Sequence, residues 1–137
     1  MLVRLPELMS RASERDLRVL FVCRFNRSRS ATAERVFSKE RGLDVRSAGT
    51  SDDAMVQVNQ LMLEWADVVF LMEEEQRRAL ARAFPNHNAI PRAIVLDIKD
   101  EYDFLDPDLV TLLRERVTPH LDRFRAGAAR SQSPKRS

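Results

Sequence analysis

The sequence predicts an α/β fold, a four-stranded parallel sheet with helices on both faces. Three observations carry that prediction. Short, continuous apolar runs rich in β-branched residues recur as "RVLFVC", "DVVFLM" and "AIVLDI", and a run without polar alternation is what a strand buried on both faces requires. Between these runs, apolar residues repeat with helical spacing. The 137 residues are 44% hydrophobic, enough for one domain with a substantial core.

The elements follow in chain order. The first strand ends at Cys23, after which Ala33, Val36 and Phe37 carry helical spacing up to Gly42, a natural helix stop. "LDVRSAG" forms a second short strand. Val58, Leu61, Met62 and Trp65 mark one face of a second helix, and "DVVFLM" gives the third strand. In "EEEQRRALARAF", Glu73 with Arg77 and Glu74 with Arg78 are spaced for favourable i, i+4 pairs. "PNHNAIP" has the composition of a loop and "AIVLDI" that of a fourth strand. From Pro107 onward, Leu109, Leu113, Val117, Leu121 and Phe124 keep one apolar face. Pro119 is expected to kink or interrupt that helix, at a cost of roughly 3 kcal/mol if interior. Residues 1–16 read as an N-terminal arm, 17–126 as the folded domain and 127–137 as a disordered basic tail.

Charge excludes one class of partner. The net charge is +2, and the stretch 126–137 holds Arg130, Lys135 and Arg136 with no acid, while residues 1–17 are balanced. The middle of the chain is therefore slightly acidic, and no nucleic-acid-binding face is expected. No stretch approaches the roughly 20 apolar residues of a membrane span, so no membrane partner is expected either. A single cysteine can form neither an intramolecular disulfide nor a cysteine-based zinc site. These features suit a cytoplasmic protein.

That cysteine has an unusual setting. "LRVLFVCRFNRSRSATAE" runs from apolar chain directly into Arg24, Phe25, Asn26, Arg27, Ser28, Arg29 and Ser30. In an open α/β sheet, ligands bind beyond the carboxyl ends of the strands, where the first strand-to-helix turn aims backbone N–H groups at them. A helix N-terminus and a guanidinium both favour thiolate over thiol. The loop is an anion cradle with a nucleophile in its floor. Five residues separate Cys23 from Arg29, which lets the loop wrap a tetrahedral oxyanion while the guanidinium grips two of its oxygens. Ser30 is placed to donate to the sulfur, and Asn26 suits a turn because it tolerates left-handed backbone angles.

On these residues the sequence resembles the low-molecular-weight protein tyrosine phosphatases. "VLFVCRFNRSRSATAE" is similar to that family's strand, Cys-x5-Arg-Ser and helix, and "SAGT" (47–50) and "ADVVFLMEE" (66–74) resemble two further segments in the family's order. The resemblance spans about Arg18 to Phe124. It implies a three-layer α/β sandwich and a phosphomonoesterase that works through a cysteinyl-phosphate intermediate, with no metal and no cofactor. It makes Cys23 the nucleophile and Arg29 the phosphate ligand within a loop of Arg24, Phe25, Asn26, Arg27, Ser28, Arg29 and Ser30. Asn26, Ser30 and Ser47 would support that loop. The partner would be a phosphorylated protein or a small phosphorylated molecule; the oligomeric state stays open.

An aspartate should protonate the leaving oxygen. Asp106 precedes a proline, as the family's acid usually does, but Asp-Pro ahead of an apolar helical run is an N-cap with proline in the first helical position. Asp100 lies just past the fourth strand, at the end of the sheet where Cys23 emerges, and Tyr102 follows it as the family's aromatic does. Asp100 is the expected acid, with Tyr102 and Asp103 on the substrate pocket.

Three departures from the family pattern stand out. The stretch after "SAGT" is short and reads "SDDAMV", without the usual aromatic. Ser28 stands where many members carry a second cysteine, so a protective disulfide is impossible. Arg27 replaces a small or branched apolar residue and, with Arg24, should strengthen attraction for anions. The alternative reading is a catalytically weak phosphate- or phosphoprotein-binding module on the same fold. Arsenate reduction would need further cysteines.

Overall fold

The structure, a computed structural model, describes residues 15–132, with side chains to residue 127. Four strands, β1 (Leu17–Cys23), β2 (Leu43–Gly49), β3 (Val68–Leu71) and β4 (Ile94–Val95), alternate with five helices. These are α1 (Arg29–Phe37), α2 (Gln60–Trp65), α3 (Glu74–Ala83), α4 (Ala89–Arg92) and α5 (Pro107–Gln132). The strands form one sheet in the order β2-β1-β3-β4, and every pairing is parallel. This is the predicted α/β architecture.

Alternation along β1 shows why a continuous apolar run was needed. Val19, Phe21 and Cys23 face a core closed by α1 and α5 through Val36, Phe37, Leu109, Leu113, Val117 and Leu121. Leu20 and Val22 face the opposite core, which α2, α3 and α4 close with Leu63, Leu80 and Ile90. Successive strand residues point to opposite faces, so a strand covered on both must be apolar throughout. Phe21 stacks between Phe37 and Phe70, with ring centroids 5.6 and 5.3 Å away.

Several local expectations change. Leu61 is 73% exposed, whereas Leu63 and Val58 are buried, because α2 is only six residues long and Val58 packs before it begins. Glu74 pairs with Arg77 one residue closer than expected, at 2.9 Å, which leaves Glu73 free for another partner. A short helix, α4, takes the last three residues of the expected loop "PNHNAIP", whose first four remain turn and loop. Only Ile94 and Val95 of "AIVLDI" form regular strand, because Asp97 takes a left-handed backbone (φ 55°). The pairing nevertheless continues through Leu96 N–H to Leu71 O and Ile98 N–H to Met72 O, both 2.8 Å.

Helix α5 passes through Pro119 without interruption. Proline removes the hydrogen bond to the carbonyl of Glu115, but both residues lie on the exposed side of the helix, where a lost backbone bond costs less than in the core. The helix continues to Gln132, beyond the expected domain end at 126, through an alanine-rich stretch. Most of the expected arm, residues 1–14, and the last five residues of the expected tail lie outside the described residues. Among the described residues, no helix is long and apolar enough to cross a membrane.

The strand order places the site. From β1 the chain moves to β2 on one side, then crosses to β3 on the other, so the direction of winding reverses between β1 and β3. Crevices at the carboxyl ends of such strands are where open α/β sheets bind ligands. Here that crevice lies between Cys23 and Glu73.

Candidate active site

Cys23 ends β1 and is buried, with its sulfur 3.1 Å from the backbone N–H of Asn26 and 2.9 Å from Ser30 Oγ. The chain must turn back within a few residues to bring Asn26 N–H over the sulfur. Asn26 does so with φ 57°, a left-handed conformation that asparagine tolerates. The loop carbonyls are held from outside: Cys23, Arg24 and Phe25 accept from the N–H groups of Thr50 (3.0 Å), Ser51 (2.9 Å) and Met55 (3.0 Å). Fixing the carbonyls outward turns the intervening N–H groups inward. Among the described residues, the N–H groups of Phe25, Arg27 and Ser28 have no protein acceptor, as befits an anion cradle at the start of α1.

The side-chain support is continuous. Asn26 Nδ2 donates to Ser30 Oγ and to Ser47 Oγ, both at 2.9 Å, and Ser47 Oγ donates to Glu34 Oε1 at 2.5 Å. Three of these four residues were expected in loop support. Glu34 was not, because nothing in its local sequence distinguishes it from an ordinary exposed helix residue.

Arg29 is 2% exposed, the largest fully buried side chain. Its Nη1 donates to Glu73 Oε1 at 2.5 Å and to the carbonyl of Ile98 at 2.8 Å, which anchors the guanidinium from behind. Glu73 is also the N-cap of α3, its own backbone N–H donating to Gln76 Oε1. Arg29 Nε lies 3.7 Å from Asp100 Oδ1, and it is the one buried side-chain polar atom without a hydrogen-bond partner among the described residues. A buried, unsatisfied guanidinium N–H is costly, and it marks where an acceptor belongs.

A cavity of about 160 Å³ is lined by Cys23, Phe25, Arg27, Ser28, Arg29 and Asp100. Arg27 and Arg24 hold their guanidinium carbons 5.7 and 4.9 Å from the Phe25 ring centroid, the geometry of a cation–π contact. Arg24 does not line the cavity; its carbonyl is occupied by Ser51. Tyr102 and Asp103, expected on the pocket, are absent from its lining: Tyr102 packs against the core on the α1 and α5 side of the sheet, and the Asp103 carbonyl accepts from Asp106 N–H in a turn. Asp106 caps α5, its Oδ1 accepting from Asp108 N–H at 2.9 Å. Asp100, half-exposed, is the carboxylate on the cavity.

No protein-family model matches this sequence, and it matches none of the curated proteins. Solved structures are similar in fold. The YwlE arginine phosphatase from Geobacillus stearothermophilus is 20% identical over 82% of this chain and 97% of its own, with a TM-score of 0.61. Vibrio vulnificus Wzb, solved in complex with benzylphosphonate, is 21% identical over 79% of this chain and 99% of its own, with a TM-score of 0.64. SP-PTP, a low molecular weight protein tyrosine phosphatase from Streptococcus pyogenes, is 19% identical over 78% of this chain and 92% of its own, with a TM-score of 0.61. The chain therefore has the fold of the low-molecular-weight protein tyrosine phosphatases.

Proposed function

We propose that this protein is a cysteine-dependent phosphomonoesterase of the low-molecular-weight protein tyrosine phosphatase type. The observation that carries this reading is that Cys23 and Arg29 line one small cavity, while the buried Arg29 Nε has no hydrogen-bond partner among the described residues. A phosphoryl group between them supplies the missing acceptor. Inward N–H groups of the loop complete its coordination and oppose charge that grows on the phosphoryl oxygens in the transition state.

The reaction runs in two displacements. The Cys23 thiolate attacks phosphorus, forming the S–P bond as the P–O bond to the leaving group breaks, and Asp100 gives its proton to the departing oxygen. Water then attacks the phosphocysteine, Asp100 takes a proton from it, and the thiolate leaves as inorganic phosphate is released. Ser30 O–H and Asn26 N–H stabilise the sulfur as attacker and as leaving group. Arg29, anchored by Glu73 and the Ile98 carbonyl, holds the oxyanion throughout.

The substrate is a phosphorylated protein or a small phosphorylated molecule. A cavity of about 160 Å³ admits the phosphoryl group and little beyond it, so recognition of the rest falls to the rim, where Arg24 and Arg27 favour anionic surroundings. A working thiolate without a partner cysteine suits a reducing compartment, and we place the protein in the cytoplasm.

Replacing Cys23 with serine tests the reading. Cys23→Ser is expected to abolish hydrolysis of p-nitrophenyl phosphate while orthovanadate still binds, measured by calorimetry. Turnover near the wild-type rate in Cys23→Ser would overturn it.

A further inference from the structure

The hydrogen bonds beneath the loop have a direction, and Glu34 sets it. An ionised carboxylate only accepts, so the single Ser47 proton is committed to Glu34 Oε1. Ser47 Oγ must then accept from Asn26, which fixes the amide with Nδ2 toward both Ser47 and Ser30. Ser30 Oγ, accepting from Asn26, keeps its proton for the Cys23 sulfur at 2.9 Å. The only other acceptor within its reach among the described residues is the Ala48 carbonyl, farther away at 3.3 Å.

The opposite direction is sterically available. Rotating the Asn26 amide by half a turn exchanges Nδ2 for Oδ1 with little change of shape. The oxygen then accepts from Ser47 and Ser30 together, and Ser30 no longer donates to sulfur. The Glu34 carboxylate removes this alternative by claiming the Ser47 proton.

We propose that Glu34 is a positioning residue that sets the donor direction of the chain Glu34, Ser47, Asn26, Ser30 and so commits the Ser30 hydroxyl to the Cys23 thiolate. The inference rests on the phosphatase reading only in taking Cys23 as the nucleophile. Glu34 touches neither sulfur nor cavity. It acts through three intervening side chains, and polarised chains of this kind strengthen cooperatively.

The experiment measures alkylation of Cys23 by iodoacetamide across pH, which reports thiolate without requiring turnover. Glu34→Ala is expected to react about tenfold more slowly than wild type at pH 6 and to converge with it at alkaline pH, where thiolate forms regardless. Glu34→Gln, turned so that its amide oxygen accepts from Ser47, should restore most of the rate. Ser47→Ala also frees the amide, so it should match Glu34→Ala, and the double variant should be no slower than either single one. A folded Glu34→Ala that tracks wild type at every pH, or losses that add in the double variant, would overturn the proposal. Should Glu34→Ala fail to fold, Ser47→Ala carries the same expectation, and a wild-type profile there refutes it. If wild type fails to hydrolyse p-nitrophenyl phosphate, the phosphatase reading falls while the alkylation profile still decides the role of Glu34.

Discussion

Asp100 and Asp106 show how one residue type is sorted into two tasks by its surroundings. Asp106 precedes a proline and caps α5, so its carboxylate is occupied with the N–H of Asp108. Asp100 lies on the Cys23 cavity, with its nearest cation, the buried Arg29, 3.7 Å away. Asp100→Asn is expected to lower kcat by roughly 10² to 10⁴ for alkyl phosphates, whose leaving oxygen needs a proton, and far less for p-nitrophenyl phosphate. Asp106→Asn should alter stability slightly, since asparagine also caps. If the leaving-group-dependent loss followed Asp106, the acid would be misassigned. Cys23, Asn26, Arg29 and Ser30 could be read from sequence because a strand-to-helix turn carries all four within eight residues. Glu73 could not: "EEEQRR" offers it a helical partner four residues on, and only the meeting of β1 and β3 ends brings it to Arg29. Nor could the packing of Tyr102 against the core, since the loop from Asp97 to Asp106 has no periodicity to orient its side chains.

At the scale of elements, the end of β2 holds the phosphate loop in shape. Gly49 pairs with Cys23 in the sheet, and a Cβ there would lie 2.5 Å from the Arg24 carbonyl oxygen and 2.7 Å from Ala54 Cβ. Backbone must pass where a side chain would stand, which explains the glycine in "SAGT". Gly49→Ala is expected to push the loop from its clamp of Thr50, Ser51 and Met55, costing about 1 to 3 kcal/mol in chemical denaturation and raising KM for p-nitrophenyl phosphate. Wild-type values in both would show that the neighbours yield freely. The buried strands were legible for a reason that fails at α2. Five residues of β1, Val19 to Cys23, must satisfy two cores, so that run is unbroken and apolar, whereas six residues of α2 bury chiefly Leu63 and leave Leu61 in water. A helix of under two turns is too short for its period to declare a face.

Over the whole molecule, the two ends of the sheet carry different chemistry. The carboxyl end gathers Cys23, Arg29, Glu73 and Asp100, while the amino end is closed by Asp67, just before β3. Asp67 Oδ1 and Oδ2 accept from both terminal nitrogens of Arg15, and Oδ2 also accepts from Arg18 N–H, each at 2.9 Å. The Asp67 N–H in turn donates to the Arg18 carbonyl. Partial burial alone would raise the pKa of the Asp67 carboxyl, but the Arg15 hydrogen bonds, the Arg18 amide and the two guanidinium charges together hold it below its ordinary value. The folded state thus binds this proton more weakly than the unfolded chain does. Its stabilisation is complete above the unfolded value of about 3.9 and is lost as pH falls through the lower folded value. Both partners are partly exposed, which limits the contribution to on the order of 1 kcal/mol. Asp67→Asn is therefore expected to be less stable than wild type by that amount at pH 7, with the gap closing below about pH 4 as wild type takes up the proton. Urea denaturation at pH 7, 5 and 3 measures it. A gap as wide at pH 3 as at pH 7 would mean that Asp67 holds the sheet edge through shape and its backbone contacts, not through charge.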